Sequence, residues 1–115
     1  MLGEKIARDF LAKNGYAIID TNYRCPDGEI DIITKQKDTL VFIEVRTKKG
    51  RSYGSPEESI TNLKKEKLRA VAGHYGQHRS ELPAEWRIDV VAIEMDRNNK
   101  VTRIEIIENA VEDVD

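Results

Sequence analysis

The chain has 115 residues, 39% of them hydrophobic and 35% charged, and a formal net charge of −2. That is the length of one ordinary domain, so 1–115 is expected to form a single unit, and the composition excludes a disordered or collagen-like chain. No run approaches the ~18 apolar residues of a membrane span, and Met-Leu-Gly-Glu-Lys lacks the basic-then-apolar pattern of a signal peptide, so no membrane association and a cytoplasmic location are expected. Cys25 stands alone, which excludes an intrachain disulfide and a cysteine-rich zinc site.

Leu2, Ile6, Ala7, Phe10 and Leu11 recur at helical spacing before Asn14-Gly15, which predicts a helix over 2–14. Tyr16 to Tyr23 is β-branched and aromatic and runs into the turn Cys25-Pro26-Asp27-Gly28. Ile30–Lys35 and Leu40–Arg46 read as a hairpin around Gln36-Lys37-Asp38-Thr39, and Lys48 to Gly54 as an exposed basic loop. Ser55-Pro56-Glu57-Glu58 has the form of a capping box, followed by Ile60, Leu63, Lys64, Lys67, Leu68, Val71 and Tyr75 at helical spacing; Thr61 is an alternative cap. A loop over 76–84 leads to strands at Trp86–Met95 and Val101–Glu108 around Asp96-Arg97-Asn98-Asn99. The expected order is α-β-β-β-α-β-β, an α/β fold.

Charge is unevenly distributed. Between Arg46 and Arg69 lie eight of the nineteen basic residues against three acidic ones, a local +5, whereas an acidic tail begins at about 109. A basic segment of this kind is either a solvated helix face or a phosphate-binding surface.

With Lys37 and Asp38 central in the turn, paired positions across the hairpin sum to 75, so Phe42 faces Ile33, Glu44 faces Asp31 and Arg46 faces Glu29. By the period-two rule Ile30, Ile32, Val41, Ile43 and Val45 share the opposite, wholly apolar face, which must be core. Two carboxylates facing each other on adjacent strands repel unless one is protonated or a cation intervenes. Two compensations stand open: a salt bridge to Arg46, or a hard divalent ion at Asp31 and Glu44, magnesium or manganese, leaving coordination positions for a substrate phosphate and a water.

Asp31, twelve intervening residues and Glu44-Val45-Arg46 resemble the D-(x)n-(D/E)-x-K signature of the restriction-endonuclease-like nucleases, with arginine in the lysine position. The wider pattern comprises Gly3-Glu4, Ala7, Asn22-Tyr23-Arg24, Gly28-Glu29-Ile30-Asp31, Val41–Arg46, Tyr53-Gly54, Pro56, Lys64 and Arg87–Ile93. It resembles the YraN-like family of small bacterial proteins over nearly the whole chain, a family similar in turn to the archaeal Holliday junction resolvases. The resemblance implies a restriction-endonuclease-like core with a mixed sheet flanked by helices, and a nuclease-like protein acting on branched or single-stranded DNA. It implies Asp31 and Glu44 as metal ligands, Arg46 in the catalytic-lysine position and Glu4 completing the site, unless Glu4 serves only the helix dipole. Glu29 is then a supporting residue or a cross-strand partner of Arg46. Lys64 would lie on the second helix near the same edge, unless it is simply solvated, and with Lys48, Lys49 and Arg51 of the basic segment it makes up the candidate nucleic-acid contacts. Resolvase-like relatives are symmetric dimers, which suits a two-fold junction; a homodimer is therefore an expectation from the resemblance alone.

Arginine at 46 changes the chemistry, because a guanidinium stays charged and can orient or stabilise an anion but cannot take a proton from water. A non-catalytic nucleic-acid-binding or repair-accessory protein is the alternative function, and a structural or protein-interaction module the third. His74 and His78 are four apart and a metal pair by spacing, with no third ligand nearby in sequence. Tyr53 and Trp86 could stack on bases but more commonly such residues pack. Asp89 lies in an apolar strand and is either a partner of Arg87 or a further carboxylate ligand.

Overall fold

A computed structural model of the chain describes residues 2–50, 54–77, 79 and 85–111. The elements follow the expected order: α1 (Leu2–Lys13), β1 (Ala17–Cys25), β2 (Gly28–Gln36), β3 (Thr39–Lys49), α2 (Asn62–Gln77), β4 (Glu85–Met95) and β5 (Val101–Ile107). The strands form one five-stranded sheet in the order β1-β2-β3-β4-β5. All neighbours are antiparallel except β3 and β4, which are parallel because the chain returns through α2 between them. Neither described helix is long and apolar enough to cross a membrane.

Both sheet faces are covered. α1 places Ala7 and Leu11 over Ile32, Val41, Ile43, Val91 and Ile93, and α2 places Leu68, Val71, Ala72 and Tyr75 over Ile33, Leu40, Phe42 and Ile88. Central strands buried on two sides read as unbroken apolar runs, which accounts for Val41-Phe42-Ile43 and Val90-Val91-Ala92-Ile93. At Gly3 a β-carbon would stand 2.6 Å from Thr47 Oγ1. Glycine therefore lets the start of α1 sit directly on β3.

The predicted hairpin register holds for Lys35↔Leu40, Ile33↔Phe42 and Ile32↔Ile43, and the ladder then stops. Two expectations fail beyond that point. Ile30 packs with the α2 cluster instead of beside Ile32, and Glu29 pairs with Arg24 of β1 at 3.3 Å instead of Arg46. Both depended on a continuous ladder, which Asp31 breaks.

The capping box is also displaced. Glu58 does reach back to the Ser55 N–H at 3.3 Å, but it closes a single 3-10 turn over Glu57–Ser59, and α2 begins later, with the Lys64 N–H donating to Thr61 Oγ1 at 3.1 Å. Arg103 of β5 ties that turn to the sheet, bonding Glu57, Glu94 and Glu105 at 2.8, 3.0 and 2.7 Å. The Arg103 guanidinium pulls the Glu57 carboxyl down to about 2. Strand β3 continues through Lys49, past the expected loop start. Arg51, Tyr53, His78 and the tail beyond Val111 lie outside the described residues.

Candidate functional site

Asp31 sits where β2 leaves β3, and its Oδ2 accepts the Val45 N–H at 2.9 Å, replacing a ladder bond with a side-chain bond. Glu44 follows on β3 with its side chain 6% exposed. One residue further along the same strand face, Arg46 places Nη2 3.2 Å from Glu44 Oε2. From the other layer Lys64 of α2 brings Nζ to 3.6 Å of the same oxygen. Lys64 lies in the first turn of α2, where the helix dipole disfavours a cation and no acidic residue is present. The Glu44 carboxylate offsets that placement.

Burial pushes the Glu44 carboxyl up to about 7, reinforced by a hydrogen bond and repulsion from Asp31; Lys64 and Arg46 pull the other way and do not prevail. The predicted conflict between facing carboxylates is thus present. Of the two compensations, the salt bridge to Arg46 is present, joined by Lys64, and the raised Glu44 carboxyl eases the repulsion further.

Arg46 Nε is buried and lacks an acceptor among the described residues. A buried donor without a partner costs free energy and marks a place where an acceptor belongs. Nε–H and Nη2 lie along one edge of the planar guanidinium, the fork that grips carboxylates and phosphates; here one tine holds Glu44 and the other is open.

The donor set fits a hard divalent ion of the magnesium type. Asp31 and Glu44 present adjacent carboxylates, and magnesium is typically bound through one or two carboxylates with the remaining positions kept for water and substrate phosphate. Among the described residues no three histidine, cysteine, aspartate or glutamate side chains converge to hold a metal, so neither Glu4 nor Glu29 joins the pair. Glu4 is half-buried on α1, which packs on the Val45 and Thr47 side of the sheet, away from the face that meets α2.

Other sequence candidates have structural duties. Asp89 is fully buried and accepts from Tyr16 Oη at 3.0 Å, Arg87 Nε at 2.9 Å and the Asn109 N–H at 2.8 Å, so it is a knot, not a ligand. Burial, with Asp89 adjacent, pushes the Tyr16 hydroxyl up to about 12. His74 Nδ1 is 2.6 Å from Tyr23 Oη, which ties α2 to β1. Trp86 packs edge-on against Phe42 yet stays 42% exposed. Lys48 Nζ donates to the Gly54 carbonyl at 2.6 Å, and Lys49 is exposed. The resemblance placed Lys64 on the second helix near the same edge, as observed; what it did not give is the Glu44 oxygen that Lys64 shares with Arg46.

A family model described as "Uncharacterised protein family UPF0102" matches residues 3–93, in agreement with the YraN-like resemblance. A "UPF0102 protein" of Moorella thermoacetica is 43% identical over 109 residues, covering 95% of this chain and 91% of that one. One from Caldicellulosiruptor bescii is 45% identical, covering 94% and 92%, and one from Dehalococcoides mccartyi is 48% identical, covering 95% and 88%.

Proposed function

Because the chain belongs to family UPF0102, whose description states no activity, we propose its function from the site. It is a nucleic-acid-binding protein that hydrolyses phosphodiesters with magnesium or manganese held at Asp31 and Glu44, acting on branched or single-stranded DNA. The observation that carries this reading is the pair of adjacent carboxylates, one of them buried, beside two cations aimed at a single oxygen. Glu44 lies at the middle of β3 and Arg46 two residues on, both facing the first turn of α2 through Lys64. A purely structural ion cluster would leave no reason for the open edge of Arg46.

A bound divalent ion supplies Lewis acidity and a water of lowered pKa. Asp31 and Glu44 hold it, and Asp31 is kept in place by the Val45 N–H. Arg46 binds and orients the phosphate and stabilises its developing negative charge; it takes no proton. That restriction favours the second reading, a protein that binds the same nucleic acid without cutting it.

A panel of junction, flap, single-stranded and duplex DNA incubated with magnesium or manganese tests the proposal. Metal-dependent cleavage is expected, abolished by Asp31→Ala. Binding without cleavage on any substrate moves the assignment to the second reading, and absence of both removes the nucleic-acid assignment.

A further inference from the structure

The two cations at Glu44 come from elements that the chain separates by a turn, yet they meet at one carboxylate oxygen. The oxygen belongs to a side chain that the proposed metal also requires. Both cations meet Glu44 at Oε2 while the same carboxyl also hydrogen-bonds Asp31, so an ion shared with Asp31 competes with Arg46 and Lys64 for one carboxylate. While Glu44 engages the cations it occupies one tine of the Arg46 fork and the Lys64 ammonium, and the remaining tine, Nε, has no acceptor among the described residues.

We propose that Arg46 and Lys64 form one phosphate seat, that Glu44 Oε2 fills this seat in the metal-free protein as a built-in anion, and that phosphate entry is coupled to release of that oxygen from the two cations. The proposal rests on the functional reading above for the chemistry of the ligand, a phosphodiester of the nucleic-acid backbone. The geometry sets the direction of the coupling. A carboxylate that leaves the fork exposes Nε–H and Nη2 together, the bidentate arrangement that suits a phosphate, with the Lys64 ammonium beside it as a point charge. Reciprocity then requires that whatever draws Glu44 away strengthens phosphate binding and that phosphate strengthens it in return.

The coupling is measurable without cleavage. In mildly alkaline buffer with a chelator, a fluorescent thymidine octamer is titrated by anisotropy against the full chain. Glu44→Gln, which keeps the shape and removes the charge, is expected to bind it about tenfold more tightly than wild type, within the usual range for coupled sites. Asp38→Asn makes the same change in net charge on an exposed position of the hairpin turn, six residues before Glu44 along β3 and roughly 20 Å away at about 3.3 Å per strand residue, and is expected to leave affinity within about twofold of wild type, as a charge beyond the Debye length does. The gain should vanish in Glu44→Gln/Lys64→Met and in Glu44→Gln/Arg46→Gln. In wild type, calcium, which takes the same kind of oxygen ligands, should tighten octamer binding; Lys64→Met should lose that response, which keeps the test open if Glu44→Gln does not fold. Inorganic phosphate as competitor separates the two sources of the ligand: displacement of the octamer assigns the seat to a phosphate group itself, and failure to displace assigns it to the diester backbone.

Equal shifts in Glu44→Gln and Asp38→Asn, or a gain that survives Lys64→Met, overturn the seat. Because these titrations use a chelator or calcium, they stand whether or not the magnesium cleavage panel succeeds.

Discussion

At Glu44, burial and Asp31 outweigh two cations, and the carboxyl is pushed from 4.5 up to about 7. Between those values the folded protein holds a proton that the unfolded chain has released, so stability falls as pH rises through this window. At ~1.4 kcal/mol per unit the loss is on the order of 3 kcal/mol. Thermal melts of the chelated protein should therefore decline from about pH 4.5 to about pH 7, and Glu44→Gln should flatten that decline and be the more stable form above it; identical profiles would remove the raised carboxyl. Glu57 has the opposite sign: its lowered carboxyl stabilises above 4.5 and loses that contribution as pH falls towards 2. The two windows do not overlap. Two positions along the strand, Arg46 separates cutting from binding. With an active nuclease, Arg46→Lys should retain metal-dependent cleavage, and Arg46→Ala should lower kcat far more than it weakens substrate affinity, since the guanidinium acts on charge that develops in the transition state. If Arg46→Ala lowers only stability, the residue is merely the partner of Glu44.

Among the elements, Asp89 is the point where four segments join: it lies on β4 and bonds Tyr16 before β1, Arg87 on its own strand and the Asn109 backbone after β5, while Arg87 reaches on to Gln36 at 2.5 Å. Removing one partner of a buried pair strands the other, so Asp89→Ala should cost about 3–5 kcal/mol in urea unfolding without altering metal affinity. A small cost accompanied by lost metal binding would reassign Asp89 to the site. The sequence disclosed the elements well because long periodic runs and turn residues are local signals: every strand and α1 appear within a few residues of their expected limits, and α2 begins at the alternative Thr61 cap, not at the Ser55 box. The hairpin register was legible as far as Ile32↔Ile43, because a two-residue turn sets it. It became illegible at Asp31, where a side chain takes the place of a backbone acceptor. The start of α2 was shared between two local signals, and the sheet chose Thr61 by docking the earlier turn through Arg103. Asp31, Glu44 and Arg46 stood out because strand alternation places them together. Lys64 was placed near that edge only by the resemblance, since its approach to Glu44 depends on how a helix crosses the sheet, which periodicity does not encode.

For the whole molecule, a net charge of −2 conceals where the basic residues gather. Arg46, Lys48 and Lys49 lie along the last residues of β3, and Lys64 lies at the start of α2, the element that the chain enters next from that end of the sheet. The site carboxylates lie on and beside the same strand, so under the proposed function a nucleic-acid backbone held by these cations would lie next to Asp31 and Glu44. Each neutralised phosphate releases counterions, and log affinity falls with log salt by about 0.9 per duplex phosphate and about 0.7 per single-strand phosphate. If these four cations each meet one phosphate, the duplex slope should be about −3.6 and the single-strand slope about −2.8. Replacing Lys48 and Lys49 with alanine should flatten the duplex slope by about 1.8 and weaken all substrates alike, because phosphate contacts position a duplex without reading its sequence. The measurement is anisotropy at several salt concentrations with a non-cleaving metal. A slope unchanged by the double substitution would show that the end of β3 does not touch the backbone, and would confine the contact to Arg46 and Lys64.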